Sequence, residues 1–271
     1  LFTEQGRCFW LRAYEIPEAS KTSSGRVIQN IINLPKDDKV KAYIIIEDLK
    51  DEAFINNNYI VFCTKNGLIK KTQVEAFSRP RTNGINAITI NEGDTLLEAR
   101  LTNGSNEIVI ANKGGRAIRF PESKVRSMGR SAAGVRGLRL SENVPDDAVV
   151  GMVCVDPNDP NITILVVSER GNGKRSALDD YRVTNRGGKG VKTLQVTDKT
   201  GYLIVIRMHV EDMRVMGRAT QGVRVIRLDE DDSIADVAVV VRDEEEDDVD
   251  AVEGIEGASE ELTKDANAEE E

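Results

Sequence analysis

Arginine and lysine residues recur beside glycine and small polar residues in five stretches of this 271-residue chain. We call these stretches the first to fifth basic loops, and they cover residues 21–28, 79–88, 126–138, 182–194 and 214–226. Guanidinium and ammonium groups donate hydrogen bonds to anions, and glycine lets backbone N–H groups approach a phosphate closely. Such an arrangement is typical of a surface that holds an anionic polymer by its charge and shape.

The basic side chains of these loops are the candidate binding residues. They are Lys21 and Arg26; Arg79 and Arg81; Arg126, Arg130 and Arg136; Arg182, Arg186, Lys189 and Lys192; and Arg214, Arg218 and Arg224. Any one of them, taken alone, is better explained as a solvated surface residue. The same loop type in five copies, on a net-basic part of the chain, favours the binding of an anionic polymer.

The charge of the chain is unevenly distributed. Residues 243–271 contain 15 acids and one base, whereas residues 1–242 contain 31 acids and 36 bases. The acidic segment has few aliphatic residues and no aromatic one, which predicts a disordered tail. Two interpretations of this tail stay open. It is either a solubilising terminus or an autoinhibitory segment that competes with the anionic ligand for the basic loops.

Short runs rich in β-branched residues predict that residues 1–242 are an all-β domain. Such runs lie at 43–46, 59–62, 107–110 and 162–167, and residues 237–241 are the predicted last strand. None of the runs follows the 3.6-residue spacing of an amphipathic helix. We therefore expect helix to be a minor component.

A hairpin with a glycine at its turn precedes each of the first four basic loops. The hairpin glycines are Gly6, Gly67, Gly114 and Gly171, and the next loop glycine follows 17 to 20 residues later. The units recur at intervals of 50 to 59 residues with several strands each, which indicates blades of a propeller. About five units are present, and the first and last are incomplete because the chain opens inside a hairpin strand and the fifth loop lacks a glycine hairpin.

Several other kinds of site are excluded by the sequence. The three cysteines form no Cys-x-x-Cys pair, and the single histidine, His209, rules out a multi-histidine metal site. The string 187–190 is rich in glycine but lacks the Gly-Lys-Ser/Thr ending of a phosphate-binding loop. No signal peptide or membrane-spanning run is visible. We expect no catalytic residue, metal or cofactor in this chain, and a reducing cytoplasm as its setting.

The basic loops and their neighbours resemble the C-terminal domain of the bacterial DNA gyrase A protein. The resemblance covers about residues 1–242 and is carried by Gly-Arg-x-x-x-Gly-Val cores, by Arg-Ala-Tyr-Glu-Ile-Pro-Glu-Ala-Ser at 12–20, by Lys-Arg-Ser-Ala at 174–177 and by Val-Met-Gly-Arg-Ala-Thr-Gln-Gly-Val at 215–223. It implies a β-pinwheel, usually of six blades that exchange strands between neighbours. It also implies the wrapping of double-stranded DNA around a basic edge, and adds Lys174 and Arg175 to the candidate contacts.

The resemblance further implies that the parent enzyme is an ATP-hydrolysing type II DNA topoisomerase of the bacterial cytoplasm and nucleoid. The gyrase B subunit, together with the N-terminal region of the gyrase A subunit, would then be its protein partners. ATP and magnesium would act in those other parts. The family's gyrase box, Gln-Arg-Arg-Gly-Gly-x-Gly, belongs to the first blade, and the nearest string here is at 185–190 in a later blade. A topoisomerase IV C-terminal domain and a protein-interaction propeller stay open as alternatives.

Overall fold

The structure is a computed structural model and describes residues 1–20, 23–208, 215–218, 220–229 and 232–234. The predicted last strand at 237–241 and the acidic tail at 243–271 lie outside the described residues, as does the predicted domain boundary at 242.

The described residues form sixteen strands, one α-helix and five short 3-10 helices. In chain order the strands are β1 Phe2–Thr3, β2 Arg7–Cys8, β3 Val40–Ala42, β4 Tyr59–Thr64, β5 Leu68–Gln73, β6 Ile85–Asn86, β7 Leu96–Thr102, β8 Glu107–Asn112, β9 Arg116–Pro121, β10 Val135–Arg136, β11 Val149–Val155, β12 Thr163–Ser168, β13 Asn172–Ala177, β14 Val191–Lys192, β15 Leu203–Met208 and β16 Val223–Arg224. The α-helix is α1 Glu52–Asn57, and the 3-10 helices are Ala13–Glu15, Ile28–Asn30, Val74–Phe77, Glu122–Lys124 and Leu178–Asp180.

The strands assemble into four antiparallel sheets of four strands each. The strand orders are β3-β1-β2-β6, β7-β4-β5-β10, β11-β8-β9-β14 and β15-β12-β13-β16. In every sheet the last strand comes from the repeat that follows in the chain: β6 comes after β4 and β5 but pairs with β2. This exchange of strands confirms the all-β fold class and the predicted pinwheel. The fifth repeat contributes β16 to the fourth sheet.

Hydrophobic side chains pack on both faces of the central sheets. Ile60 and Phe62 of β4 lie in one buried cluster with Phe2 of the first sheet, whereas Val61 and Cys63 lie in another cluster with residues of β8. The ring centroids of Phe2 and Phe62 are 5.1 Å apart in an edge-to-face arrangement. Successive residues of a strand point to opposite faces, so burial of both faces explains the continuous apolar runs in the sequence.

Neighbouring sheets contact one another through β3, β7, β11 and β15. The exchanged strands β6, β10, β14 and β16 form the opposite edge of each sheet. Four basic loops lead into these exchanged strands, so the fold brings the predicted binding segments to corresponding edges of the four sheets.

Candidate nucleic-acid interface

The loop glycines fix the backbone of the second to fifth basic loops against the preceding sheet. Gly84, Gly134, Gly190 and Gly222 have φ angles of +66°, +101°, +70° and +79°. A Cβ atom added to these residues would lie 2.4 to 2.8 Å from the carbonyl oxygens of Cys8, Ile69, Ala117 and Gly173, respectively. Only glycine combines a positive φ with such a close backbone approach at little cost. Glycine is therefore needed wherever a basic loop enters an exchanged strand.

The hairpin glycines complete the same connection from the other side. One glycine carbonyl in each hairpin accepts hydrogen bonds from two successive backbone N–H groups of the following repeat. The pairs are Gly6 with Ala87 and Ile88, Gly67 with Gly137 and Leu138, Gly115 with Thr193 and Leu194, and Gly171 with Val225 and Ile226. Gly115, with φ +74°, takes the place that the sequence spacing predicted for Gly114. We call this arrangement of loop glycine and hairpin glycine the glycine latch.

Successive basic loops are also hydrogen-bonded to one another. Thr89, directly after the second loop, donates its hydroxyl to the Ser131 carbonyl of the third loop at 2.8 Å. The Gly187 N–H of the fourth loop donates to the Gly137 carbonyl at 2.6 Å. The Gln195 N–H, directly after the fourth loop, lies 3.4 Å from the Thr220 carbonyl of the fifth. The second to fifth basic loops therefore form one connected track.

Most of the candidate contact residues face solvent. The exposed ones are Arg26, Arg79, Arg81, Arg126, Arg136, Arg182, Lys189, Lys192 and Arg224, and the half-buried ones are Arg130, Arg175, Arg186 and Arg218. Lys21 and Arg214 lie outside the described residues. Since guanidinium and ammonium groups carry their charge at pH 7, the exposed set forms a row of cations along the loops.

Two half-buried arginines use part of their hydrogen-bonding capacity within the protein. Arg186 donates from Nε to the Lys124 carbonyl at 3.0 Å and from Nη1 to the Arg136 carbonyl at 3.1 Å. Arg218 donates from Nη1 to the Lys192 carbonyl at 3.0 Å. A guanidinium has five N–H donors, so each group holds a neighbouring loop and keeps donors for an anion.

Concave pockets lie between or beside these loops. One has a volume of about 380 Å³ and lies between the second and third basic loops. Its lining includes Arg79 and Arg81 of the second loop and Gly129 and Arg130 of the third. Glu75 also lines this pocket. Another, of about 270 Å³, is bounded by Arg119, Arg182, Asn185 and Lys189 among other residues. The guanidinium groups give both pockets donors suited to a phosphate oxygen.

Lys174 does not belong to the exposed row, which corrects its place among the candidate contacts. Its side chain is fully buried, and its ammonium donates to the carbonyls of Gly217 at 3.1 Å, Thr220 at 3.2 Å and Arg218. Three acceptors match the three N–H donors of an ammonium group. Lys174 therefore bonds to the fifth basic loop from beneath. Its neighbour Arg175 is half-buried and donates from Nε to the Thr163 hydroxyl at 2.7 Å.

Three basic residues that the sequence pattern did not single out adjoin the same track. Arg7 and Arg116 open the second strand of the first and third hairpins and donate to the carbonyls of Asn83 at 2.5 Å and Gly190 at 3.2 Å. Arg139 directly follows the third basic loop and is exposed. Arg7 and Arg116 each directly follow a hairpin glycine, and this shared position is the sequence feature that could have identified them.

Two of the cysteines and one of the tyrosines are buried in the described part of the chain. Burial raises the pKa of the Cys8 thiol to about 12 and raises that of Cys63 well above its ordinary value, so both stay protonated. The Tyr181 hydroxyl is buried and lies 2.5 Å from the Thr193 hydroxyl. Among the described residues, no group of three His, Cys, Asp or Glu side chains could hold a metal ion. The same residues contain no helix that could span a membrane.

A protein-family model described as "DNA gyrase C-terminal domain, beta-propeller" matches the chain in five segments. These segments cover residues 1–47, 58–103, 106–156, 163–204 and 204–240. They follow the repeats found in the sequence, with the last match falling on the shortened fifth unit.

Among curated proteins, the chain is similar to the DNA gyrase A protein of Staphylococcus aureus. It is 39% identical over 268 residues to that of strain MRSA252, which covers 92% of this chain and 29% of the relative. The match to strain NCTC 8325 / PS 47 is 39% identical over 264 residues, covering 90% and 29%. The chain thus spans less than a third of the length of these relatives.

Solved structures with the same fold include a C-terminal domain of DNA topoisomerase IV and one of DNA gyrase A. The first has a TM-score of 0.72 at 25% identity and covers 86% of this chain and 76% of that one. The second has a TM-score of 0.70 at 24% identity and covers 87% and 79%.

Proposed function

Since the chain belongs to the family of DNA gyrase C-terminal domains, we propose that its basic loops bind double-stranded DNA without sequence specificity and bend it along their course. The observation that carries this proposal is the connected track of four arginine-bearing loops, joined by the glycine latch and by loop-to-loop hydrogen bonds. A track of cations on corresponding edges of successive sheets offers phosphate contacts at successive points of a bent duplex.

The energy for bending would come from the phosphate contacts. Bending a duplex of 20 to 30 base pairs costs on the order of a few kcal/mol, which contacts between arginine and phosphate can offset. Each neutralised phosphate also releases counterions, so the logarithm of the binding constant falls with the logarithm of salt concentration. About six phosphate contacts would give a slope of about −5.

We place the domain in a bacterial gyrase A protein, in the cytoplasm, where it supports ATP-dependent negative supercoiling by the whole enzyme. Its partners would then be the gyrase B subunit and the N-terminal region of the gyrase A subunit. This assignment rests on the 39% identity to gyrase A proteins of Staphylococcus aureus. A topoisomerase IV role is the second candidate, since a topoisomerase IV C-terminal domain shares the fold with a TM-score of 0.72, but it fits less well than gyrase A.

The test is binding of a fluorescent duplex of about 40 base pairs by the full chain across a salt series. We expect a steep negative slope and a marked loss of affinity when Arg79, Arg81 and Arg136 are replaced by alanine. The matched control replaces Lys36, Lys50 and Lys199, which are exposed lysines outside the basic loops. Equal losses from both triple variants would refute binding by the loops, and a flat salt response would favour a protein-binding propeller.

A topological assay separates wrapping from simple bending. Nicked plasmid is sealed with and without the domain, and the change in linking number is measured after the protein is removed. A chiral wrap shifts the linking number in one direction in proportion to bound protein. Binding without such a shift would restrict the proposal to DNA bending.

We further propose that the acidic tail regulates DNA binding by competing with DNA for the basic loops. Residues 243–271 carry 15 acids and one base, and a tethered anion reaches the basic loops at high effective concentration. Deleting these residues is expected to tighten DNA binding several-fold at low salt and to change the salt slope. If the affinity and the slope both stay the same after the deletion, the tail does not compete with DNA and acts as a solubilising terminus.

A further inference from the structure

Two lysines in the second strands of their hairpins point inward rather than to solvent. Lys70 of β5 and Lys174 of β13 are both fully buried. The Lys70 ammonium donates to the Ala87 carbonyl at 2.6 Å and to the Arg130 carbonyl at 2.7 Å. Ala87 belongs to the second basic loop and Arg130 to the third, so one ammonium group joins two successive loops. The Lys174 ammonium donates to three carbonyls, all of them in the fifth loop.

The two lysines occupy equivalent positions in their sheets. Lys70 follows Ile69, which pairs with β10, and Lys174 follows Gly173, which pairs with β16. By the same register, the equivalent residue of the third sheet is Ile118, next to Ala117. Phe9 takes this place in the first sheet, next to Cys8.

We infer that Lys70 and Lys174 are positioning residues of the DNA-binding surface, which hold the backbones that carry Arg130 and Arg218 at the place where phosphates bind. This inference rests on the proposed function. Neither ammonium group reaches solvent, so neither lysine contacts DNA itself. Their effect on binding passes through the loops that they hold.

Folding alone does not account for a lysine at this position. Ile118 and Phe9 are apolar, yet the first and third sheets form the same glycine latch and the same exchanged strand. Removing a charge from water is unfavourable, and burial lowers the pKa of both lysines to about 8. The second and fourth sheets therefore bear a cost that an apolar residue would avoid. What the ammonium groups provide in return is hydrogen bonding to the arginine-bearing loops.

The carbonyl contacts also fix the backbone positions from which the arginine side chains extend. Lys70 bonds directly to the carbonyl of Arg130, and Lys174 bonds to that of Arg218. Arg130 lines the pocket shared with Arg79 and Arg81. Loss of the ammonium would let the third loop move relative to the second and would open this pocket.

The experiment is a double-mutant cycle on the full chain, with a duplex of about 40 base pairs as the probe at pH 7. Lys70→Met, Arg130→Ala and the double variant are titrated across a salt series, and Ile118→Met is the matched control. We expect Lys70→Met to weaken binding by about 3- to 10-fold and to reduce the salt slope by about 1, as if one phosphate contact were lost. In the Arg130→Ala background, Lys70→Met should have less than about a 2-fold further effect.

The outcomes separate the inference from the proposed function. If the wild-type chain binds DNA with a steep salt slope and Lys70→Met binds equally well, the positioning role is wrong and the proposed function stands. If Lys70→Met weakens binding equally in both backgrounds, its role is only structural. If the wild-type chain shows no salt-dependent binding, the proposed function itself fails.

Thermal unfolding and hydrogen exchange show whether Lys70→Met acts locally. The variant should unfold within a few degrees of the wild type while the Met128 amide in the third loop, bonded to the Lys71 carbonyl, loses protection. The same cycle with Lys174→Met and Arg218→Ala repeats the test in the fourth sheet. It decides the inference there even if Lys70→Met does not fold.

Discussion

The second and third sheets hold their basic loops with the same backbone device but with different side chains. Both use a loop glycine against a strand carbonyl and a hairpin glycine that accepts two N–H groups. In the second sheet Lys70 reaches into the loops, whereas Ile118 takes its place in the third. The glycine latch therefore builds the repeat, and side chains adjust the position of individual loops.

The third sheet has its own side-chain tether one residue further along. Arg119 is buried and donates from Nη1 to the carbonyls of Leu178 at 2.8 Å and Tyr181 at 3.2 Å. Its Nε lies 2.5 Å from Oε2 of Glu107. At the equivalent position of the second sheet, the Lys71 ammonium lies 3.5 Å from a Glu122 carboxylate oxygen. Both sheets therefore carry a buried ion pair at this position, and in the third sheet the arginine also bonds to the chain just before the fourth basic loop.

Breaking the Arg119–Glu107 ion pair of the third sheet should have a larger effect on stability than removing the Lys70 contacts of the second sheet. Arg119→Met leaves the Glu107 carboxylate buried without its partner, and should lower the free energy of unfolding by about 3–5 kcal/mol. Lys70→Met leaves only neutral carbonyls without a donor and should cost about 1–2 kcal/mol. Urea denaturation of both variants at pH 7 measures the difference.

The double variant Arg119→Met with Glu107→Gln tests the physical reason. Removing the second charge should recover a large part of the stability that Arg119→Met loses. An Arg119→Met variant as stable as Lys70→Met would show that the Glu107 carboxylate is solvated, and the two tethers would then be energetically alike.

The glycine latch should respond equally in the two sheets. Gly134→Ala and Gly190→Ala place a Cβ 2.6 and 2.4 Å from strand carbonyls at positive φ, and each should lower the free energy of unfolding by about 2–4 kcal/mol. Gly25→Ala is the control, because Gly25 has φ +67° with nothing described within 4 Å of an added Cβ. Its cost should be about 1 kcal/mol, from backbone strain alone. Equal losses at all three sites in urea denaturation would mean that the close carbonyl approach contributes nothing.

Much of this architecture was predictable from residues, because glycine turns and apolar strands are local signals. The loop glycines at 84, 134 and 190 were found by spacing, and the structure gives them positive φ angles. Gly115 was missed in favour of Gly114, since two adjacent glycines do not indicate which one turns the chain. Strand exchange came from the family resemblance rather than from any local pattern.

The inward direction of the Lys174 side chain could not be predicted from the sequence, for a physical reason. Its carbonyl partners Gly217 and Thr220 lie 43 and 46 residues further along the chain. Every residue type has a backbone carbonyl, so the sequence does not show which carbonyls accept a hydrogen bond from a lysine. A lysine beside Arg175 on a hairpin strand therefore has the appearance of a surface residue. The comparison of equivalent positions Lys70, Ile118 and Lys174 was the available clue, since an aligned apolar residue indicates a buried site.

The pH dependence of stability gives the smallest and most specific contrast between the sheets. Burial lowers the pKa of Lys70 to about 8, with a further contribution from the charge of Arg130, and the ordinary value is 10.5. Between these values the unfolded chain holds a proton that the folded chain lacks, so the contribution of Lys70 to the free energy of unfolding rises with pH. The rise is at most about 1.4 kcal/mol per pH unit, and the contribution is constant below about pH 8.

Lys70→Met should remove this rise, so the stability of the wild type relative to the variant should increase from pH 8 to pH 10. Ile118→Met, at the equivalent apolar position, should shift the stability by the same amount at every pH. Lys174→Met should resemble Lys70→Met, although the carboxylate of Asp180 raises the pKa of Lys174 and opposes the lowering by burial and by Arg218. Parallel curves for the wild type and Lys70→Met in urea titrations would mean that the ammonium bears no burial cost. The second sheet would then incur no energetic penalty for this lysine, and an apolar residue would offer no advantage at position 70.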